Sequence, residues 1–210
     1  MGDVGLLYVG AVLFINGLML IGIVPGKSAA VMNFFVGGMQ VIFPTVIIAQ
    51  SGGDAAVIFG AAGLYLFGFT YLYVGFNQVF GLSGEGLGWF SLFVAVCAVV
   101  IGTLQFTSLA DPVFGAIWYL WAVLWFLFFL LMGLGMDTLG VFTGWFTIVV
   151  AHVTGTIPAL LLLSGAFVST IGGAVVVGIG AIAAVLLAMI MAKRARGVGI
   201  DHVAPEVVVD

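Results

Sequence analysis

The chain has 210 residues, of which 64% are hydrophobic and only 6% charged, with a mean hydropathy of +1.40 and a net charge of −4. Its length would suit one soluble domain, but such domains carry roughly 25% charged residues, so a soluble surface is excluded. Four basic residues cannot neutralise a phosphate backbone, which excludes nucleic acid, and the single cysteine, Cys97, inside an apolar run excludes a disulfide framework or a CxxC pair.

The charges punctuate the apolar runs. Lys27, Asp54, Glu85, Asp111 and Asp137 stand 26 to 31 residues apart, and Lys193 follows only 56 residues later. A bilayer core about 30 Å thick needs about 20 apolar residues of helix, so the last interval holds two spans. The chain reads as an all-α integral membrane protein with seven transmembrane helices. Gly, Pro, Asp and Ser clusters bound them at Val4–Val24, Ala30–Gln50, Val57–Phe80, Gly88–Phe106, Phe114–Leu134, Val141–Leu163 and Thr170–Ala192. The first segment meets the second without a small-residue cleavage site, which predicts a retained helix rather than a signal peptide. The connections are too short for an extramembrane domain. Residues 1–163 form the six-helix core, 164–192 add the seventh span, and 193–210 read as a disordered tail.

Lys27 lies in the first loop, and Lys193, Arg194 and Arg196 follow the seventh helix. With seven spans both places fall on one side, which the positive-inside rule makes cytoplasmic. The N-terminus with Asp3, and the loops with Asp54 and Asp111, then face outward. Leu7-Tyr8-Val9-Gly10 recurs as Leu72-Tyr73-Val74-Gly75, and Asn16-Gly17-Leu18 has a looser echo in Asn77-Gln78-Val79. The even-numbered helices begin with Phe34-Phe35, Trp89-Phe90 and Trp145-Phe146. This faint repetition predicts three helical hairpins around a pore, plus one extra helix.

No Asp, Glu, Lys or Arg lies well inside a predicted span. Ion-coupled transporters keep an ionisable residue at depth, a retinal receptor needs a mid-helix lysine, and ion pores show rings of charge or carbonyl filters. What remains is a bundle suited to a small neutral solute. The interior polar residues are Asn16, Asn33, Gln40, Thr70, Asn77, Gln78, Thr103, Gln105, Thr154 and Thr156. They serve either as helix–helix hydrogen bonds or, in part, as a pore lining that replaces a solute's water; amides offer both donor and acceptor. Leu6, Val9, Leu13 and Asn16 form one stripe of the first helix, Phe67 and Tyr71 share a face of the third, and Trp118, Trp121 and Trp125 stripe the fifth. The aromatic stripe is either a lipid-facing or packing face, or the wall of a narrow slot for a flat small molecule. Gly26-Lys27-Ser28 is no P-loop, because Ile21 stands where the first glycine is required. His152 is the one histidine within the spans; it either packs or touches a pore. Pro44 and Pro158 are expected to kink their helices. No nucleophile, base or metal set is present, so neither an enzyme nor a cofactor is expected.

The motifs Leu7-Tyr8-Val9-Gly10 with Asn16-Gly17, Lys27-Ser28 with Ala30-Val31-Met32-Asn33-Phe34-Phe35-Val36-Gly37-Gly38, Phe67-Gly68-Phe69-Thr70-Tyr71-Leu72-Tyr73, Trp89-Phe90-Ser91-Leu92-Phe93-Val94-Ala95, Trp118, Trp121, Leu124-Trp125 and Ile157-Pro158-Ala159 resemble the AmiS/UreI family of bacterial urea channels and short-chain amide transporters. The likeness covers residues 4–163. It implies a homohexamer with a pore through each protomer and two apolar, aromatic constrictions that pass urea by diffusion. It also implies a lining of Leu6, Val9, Leu13, Phe67, Tyr71, Trp121 and Trp125, with Trp118 nearby; Asn16, His152 and Thr156 complete the candidate set.

Departures from the family carry expectations too. Acid-gated members have long outward loops with several histidines, whereas these loops are short and hold none, and His202 lies in the tail; no acid gating is expected. Val150 stands where the gastric-type channel has a glutamate, and Thr156 where it has a tryptophan. The seventh helix is additional. The reading is therefore a passive channel for urea and short aliphatic amides in a bacterial inner membrane, N-terminus outside and C-terminus cytoplasmic. The alternatives are a proton-coupled amide transporter and a non-transporting receptor or assembly subunit.

Overall fold

A computed structural model describes residues 2–197. Seven helices follow one another: α1 Gly2–Leu20, α2 Gly26–Gln50, α3 Ala55–Phe80, α4 Glu85–Thr107, α5 Pro112–Gly133, α6 Asp137–Leu163 and α7 Ile171–Gly197. Each is long and apolar enough to cross a membrane, and the described residues contain no strand. The expected tail beyond Gly197, with His202, lies outside the described residues.

The isolated acids are helix caps as well as punctuation. Asp54 accepts hydrogen bonds from the backbone N–H groups of Ala56 (2.8 Å) and Val57 (3.1 Å), starting α3. Asp111 accepts from Phe114 N–H at 3.0 Å, with Pro112 in the first turn of α5. Gly81, at φ 63°, ends α3 in the left-handed conformation. These stops lie close together, so most helices begin earlier than their apolar runs: α2 starts at Gly26 rather than Ala30, immediately after Pro25. At the far end, α7 continues past Ala192 through Lys193, Arg194 and Arg196, whose charges suit the carboxyl end of a helix dipole.

Six helices surround a central passage as three tight pairs, α2 with α3, α4 with α5, and α6 with α1; the other contacts between sequence neighbours are sparser. Glycine makes the pairs tight. A Cβ on Gly155 of α6 would lie 2.7 Å from Gly10 Cα of α1, and one on Gly17 would lie 2.9 Å from the Gly144 carbonyl. Gly68 of α3 abuts the Gln40 backbone, and Gly88 of α4 abuts Gly133 of α5. Lipid tails are as apolar as leucine, so close backbone approach is what drives association in a bilayer. The odd-numbered member of each pair faces the passage and the even-numbered member supports it from outside. The Gly10 and Gly75 motifs both place glycine against a supporting helix, α6 and α2 respectively.

Two stretches widen into π turns, Phe129–Gly133 in α5 and Ala151–Thr156 in α6. Pro158 accounts for the second, because it has no N–H for the Thr154 carbonyl and its ring crowds that carbonyl. Pro44, by contrast, sits buried inside a continuous α2.

The seventh helix lies outside the ring, against α5 and α6, with Val177, Ala184, Ala188 and Ala192 on the covered side. Val176, Ile179, Ile182 and Ile190 are exposed on it, as suits a lipid-facing surface. The segment before it is tied to α5: Ser169 Oγ donates to the Asp111 carboxylate and accepts from Val113 N–H at 3.2 Å.

Gly10→Val should lower the stability of the purified protein by about 3 kcal/mol or more, because the added side chain meets α6 backbone. Gly38→Ala, with nothing within 4 Å of the new Cβ, should change it by less than about 1 kcal/mol, in the stabilising direction. Thermal unfolding in detergent compares the two.

Candidate functional site

Two cavities lie end to end between α1, α3 and α5. One, about 380 Å³, opens at the amino-terminal end and is walled by Leu6, Val9, Ala61, Leu64, Phe114 and Trp118, with Asp3, Asp111, Gln40 and Gln105 at its margins. The other, about 190 Å³, opens at the opposite end and is bordered by Leu13, Asn16, Thr70, Tyr71, Asn77, Gln78, Ser91, Leu124, Trp125 and Met132. Phe67 and Trp121 border both. The separation between the cavities is therefore a partition of these two rings, each only 3% exposed.

Phe67 is the centre of an aromatic cluster. Its ring centroid lies 4.7 Å from Trp121 at an interplanar angle of 78°, 4.7 Å from Trp125, 5.8 Å from Trp118 and 6.2 Å from Tyr71. Edge-to-face contacts of this kind are favoured by the ring quadrupoles. Trp118 and Trp121 also meet edge-on at 5.0 Å, and Gly63 leaves room for Trp118, whose ring lies 3.1 Å from where a Cβ would stand.

Two threonines fix the indoles. Trp121 Nε1–H donates to Thr154 Oγ1 at 2.8 Å, and Trp125 Nε1–H donates to Thr70 Oγ1 at 3.3 Å. Each hydroxyl in turn donates to a carbonyl of its own helix, Thr154 to Val150 at 2.6 Å and Thr70 to Leu66 at 2.7 Å. The hydroxyl proton is thus committed and the oxygen is left to accept from the indole. A buried indole N–H without a partner would cost about 1–3 kcal/mol, so each ring is held to one orientation.

The structure brings nine of the candidate residues together. Leu6, Val9 and Trp118 border the amino-terminal cavity, Leu13, Asn16, Tyr71 and Trp125 border the other, and Phe67 and Trp121 border both. It does not bring His152 or Thr156 to either cavity. His152 is exposed on the outside of the ring, its centroid 5.3 Å from that of Phe14 and its Nδ1 3.3 Å from Thr156 Oγ1. Thr156 lies in the seam with α1, behind Gly10. Helical spacing is the reason: two positions are more than half a turn, so Thr154 faces inward to Trp121 while His152 and Thr156 fall on the other side. Val150, at the glutamate position of the gastric-type pattern, is buried in the core and borders neither cavity.

Asn16 spends half of its capacity on the fold. Its Nδ2 donates to Asn33 Oδ1 at 2.9 Å and its Oδ1 accepts from Asn33 Nδ2 at 2.6 Å, a closed pair of side-chain amides joining α1 to α2. The indole anchors Thr70 and Thr154, and the cavity margins Gln40, Asn77 and Gln78, are visible in the sequence as polar residues in apolar runs. Nothing there pairs Trp121 with a threonine 33 positions away. Among the described residues no group of three His, Cys, Asp or Glu side chains is placed to hold a metal ion.

Residues 1–166 match the profile of the family described as AmiS/UreI family transporter. A Mycolicibacterium smegmatis protein named as an amidate substrates transporter is 53% identical over 205 residues, covering 98% of this chain and 96% of the relative. The acid-activated urea channel of Helicobacter pylori strain J99 is 38% identical over 75% of this chain and 94% of the relative. The crystal structure of the H. pylori urea channel superposes with a TM-score of 0.73 at 39% identity, covering 80% of this chain and 100% of that one.

Thr154→Val, which keeps the volume but removes the acceptor, should destabilise the protein by about 1–2 kcal/mol. It should also shift the indole N–H resonance of Trp121 while leaving that of Trp125 in place. Denaturation in detergent and NMR of indole-labelled protein measure the two effects.

Proposed function

We propose that this chain, which belongs to the AmiS/UreI family of transporters, is a passive channel for urea and short aliphatic amides. One observation carries the reading: two cavities meet at a partition of Phe67 and Trp121, and no charged side chain stands between them. A hydrated ion would have to shed its water there with no charge to replace it, a cost of many kcal/mol. A small planar solute without charge loses far less and fits between flat rings. The pore lining is the set Leu6, Val9, Leu13, Asn16, Phe67, Tyr71, Trp118, Trp121 and Trp125.

Charge supports an orientation. Lys27 and the cluster Lys193, Arg194 and Arg196 lie at the end where the smaller cavity opens, while Asp3, Asp54 and Asp111 lie at the other. The smaller cavity is then cytoplasmic and the larger one external, in a bacterial inner membrane, with the carboxyl terminus inside. The likeness to the urea channel supports a hexameric assembly with one pore per protomer. The described outward connections, residues 51–54, 108–111 and 164–170, are short and free of histidine, which supports a channel without acid gating.

Proteoliposomes test the reading directly. Stopped-flow shrinkage and reswelling should show urea and acetamide entering down their gradients, at rates changing less than twofold between pH 7 and pH 5. Accumulation above equilibrium under an imposed pH gradient would replace the channel by a proton-coupled transporter, and no solute flux at all would point to a receptor or assembly subunit. Trp121→Ala should open the partition and raise the flux of butyramide relative to urea by at least about threefold, and an unchanged ratio would remove the partition from the selectivity mechanism.

A further inference from the structure

We propose that the side-chain amide of Gln40 is a docking group for the carboxamide of an entering solute, and that it selects amides over the corresponding carboxylates. The inference rests on the channel reading above and adds a specificity-determining residue to it.

Gln40 belongs to α2, a supporting helix, yet it borders the larger cavity. It is only 1% exposed, and neither Nε2 nor Oε1 has a hydrogen-bond partner among the described residues. That sets it apart from the other buried amides. Asn16 and Asn33 satisfy each other, and Asn77, whose Oδ1 is also unpartnered, still donates from Nδ2 to the Ser83 carbonyl. Buried polar groups are nearly always partnered, and one left bare at both ends marks a place where something else supplies the bonds.

The place is built for the side chain. Gly68 of α3 brings the α2 backbone in at Gln40, since a Cβ there would lie 2.9 Å from the Gln40 carbonyl. Gly5 of α1 clears the space beside the amide, where a Cβ would stand 3.1 Å from Nε2 and 3.4 Å from Oε1. Two glycines on two different helices thus admit a polar side chain that gains no bond from the protein.

Its chemistry matches a primary amide. A carboxamide carries one donor face and one acceptor face on neighbouring atoms, so two of them close a ring of two hydrogen bonds. The protein makes this pairing itself between Asn16 and Asn33. A carboxylate offers acceptors only; it can meet Nε2 but faces Oε1 with a second oxygen. Asp3 and Asp111 border the same cavity and no Lys or Arg does, so an anion entering it is opposed by charge as well.

The test uses the full-length protein in proteoliposomes, with acetamide flux measured over a concentration series. Gln40→Leu and the longer Gln40→Met should each raise the half-saturating acetamide concentration about tenfold, as loss of a hydrogen-bonded pair predicts. Both should unfold at or above the wild-type temperature, because an unpartnered amide stabilises nothing. Acetate at pH 8 should not compete with acetamide in the wild type, whereas formamide should. Half-saturation within twofold of the wild type in both variants overturns the assignment, as it would if the amide served water alone. Loss of folding in both variants overturns it too, by making Gln40 structural, and competition by acetate as strong as that by formamide overturns the selectivity. Wild-type vesicles that pass neither urea nor acetamide overturn the channel reading itself, which separates the two failures.

Discussion

Backbone contact through glycine is the constraint on which the rest of the molecule depends. In water an amphipathic stripe drives helices together; in lipid that force is absent, and association rests on how closely two helices can approach. Gly10 with Gly155, Gly17 with Gly144, Gly68 with the Gln40 backbone and Gly88 with Gly133 bring helices into contact in pairs. Each pair then presents one helix inward. Because the supporting helices lie so close behind, the inner helices need not pack densely against each other. The space left between them is the passage.

That passage is walled by rings held in position from behind. Phe67 lies among three indoles and a phenol, and Thr70 and Thr154 fix two of the indoles through their N–H groups. The arrangement turns a polar requirement, satisfying the indole N–H in a dry interior, into a geometric one, a defined ring orientation at the partition between the cavities. Thr154 stands in the π turn that precedes Pro158, on a helix that supports the passage from outside.

The spans and the inward stripes were legible because both follow from simple periodicities, the length of a bilayer and the pitch of a helix. Leu6, Val9 and Leu13, or Trp118, Trp121 and Trp125, fall on one face whatever surrounds them. Less accessible was anything that depends on which helices are neighbours. The α6–α1 pairing joins segments from opposite ends of the core, and glycine, common throughout the chain, gives no hint of its partner. Thr154 faces Trp121, so His152 and Thr156, two positions to either side of it, come to lie outside and in the seam, and the sequence alone does not say which face of α6 turns inward. Gln40, one of the polar residues in the apolar runs, borders the larger cavity from a supporting helix, a position that the stripes of the odd-numbered helices do not reveal.

Pairing the first helix with the sixth has a consequence for how the protein is made. Helices enter the membrane in order, and α1 is inserted long before the surface that covers its glycine face exists. The two pairs built in between, α2 with α3 and α4 with α5, can form as soon as their own members are present, but they enclose nothing. Only when α6 arrives does the wall close. A ribosome stalled at any earlier point therefore leaves an unsealed groove in the bilayer rather than a closed ring of helices.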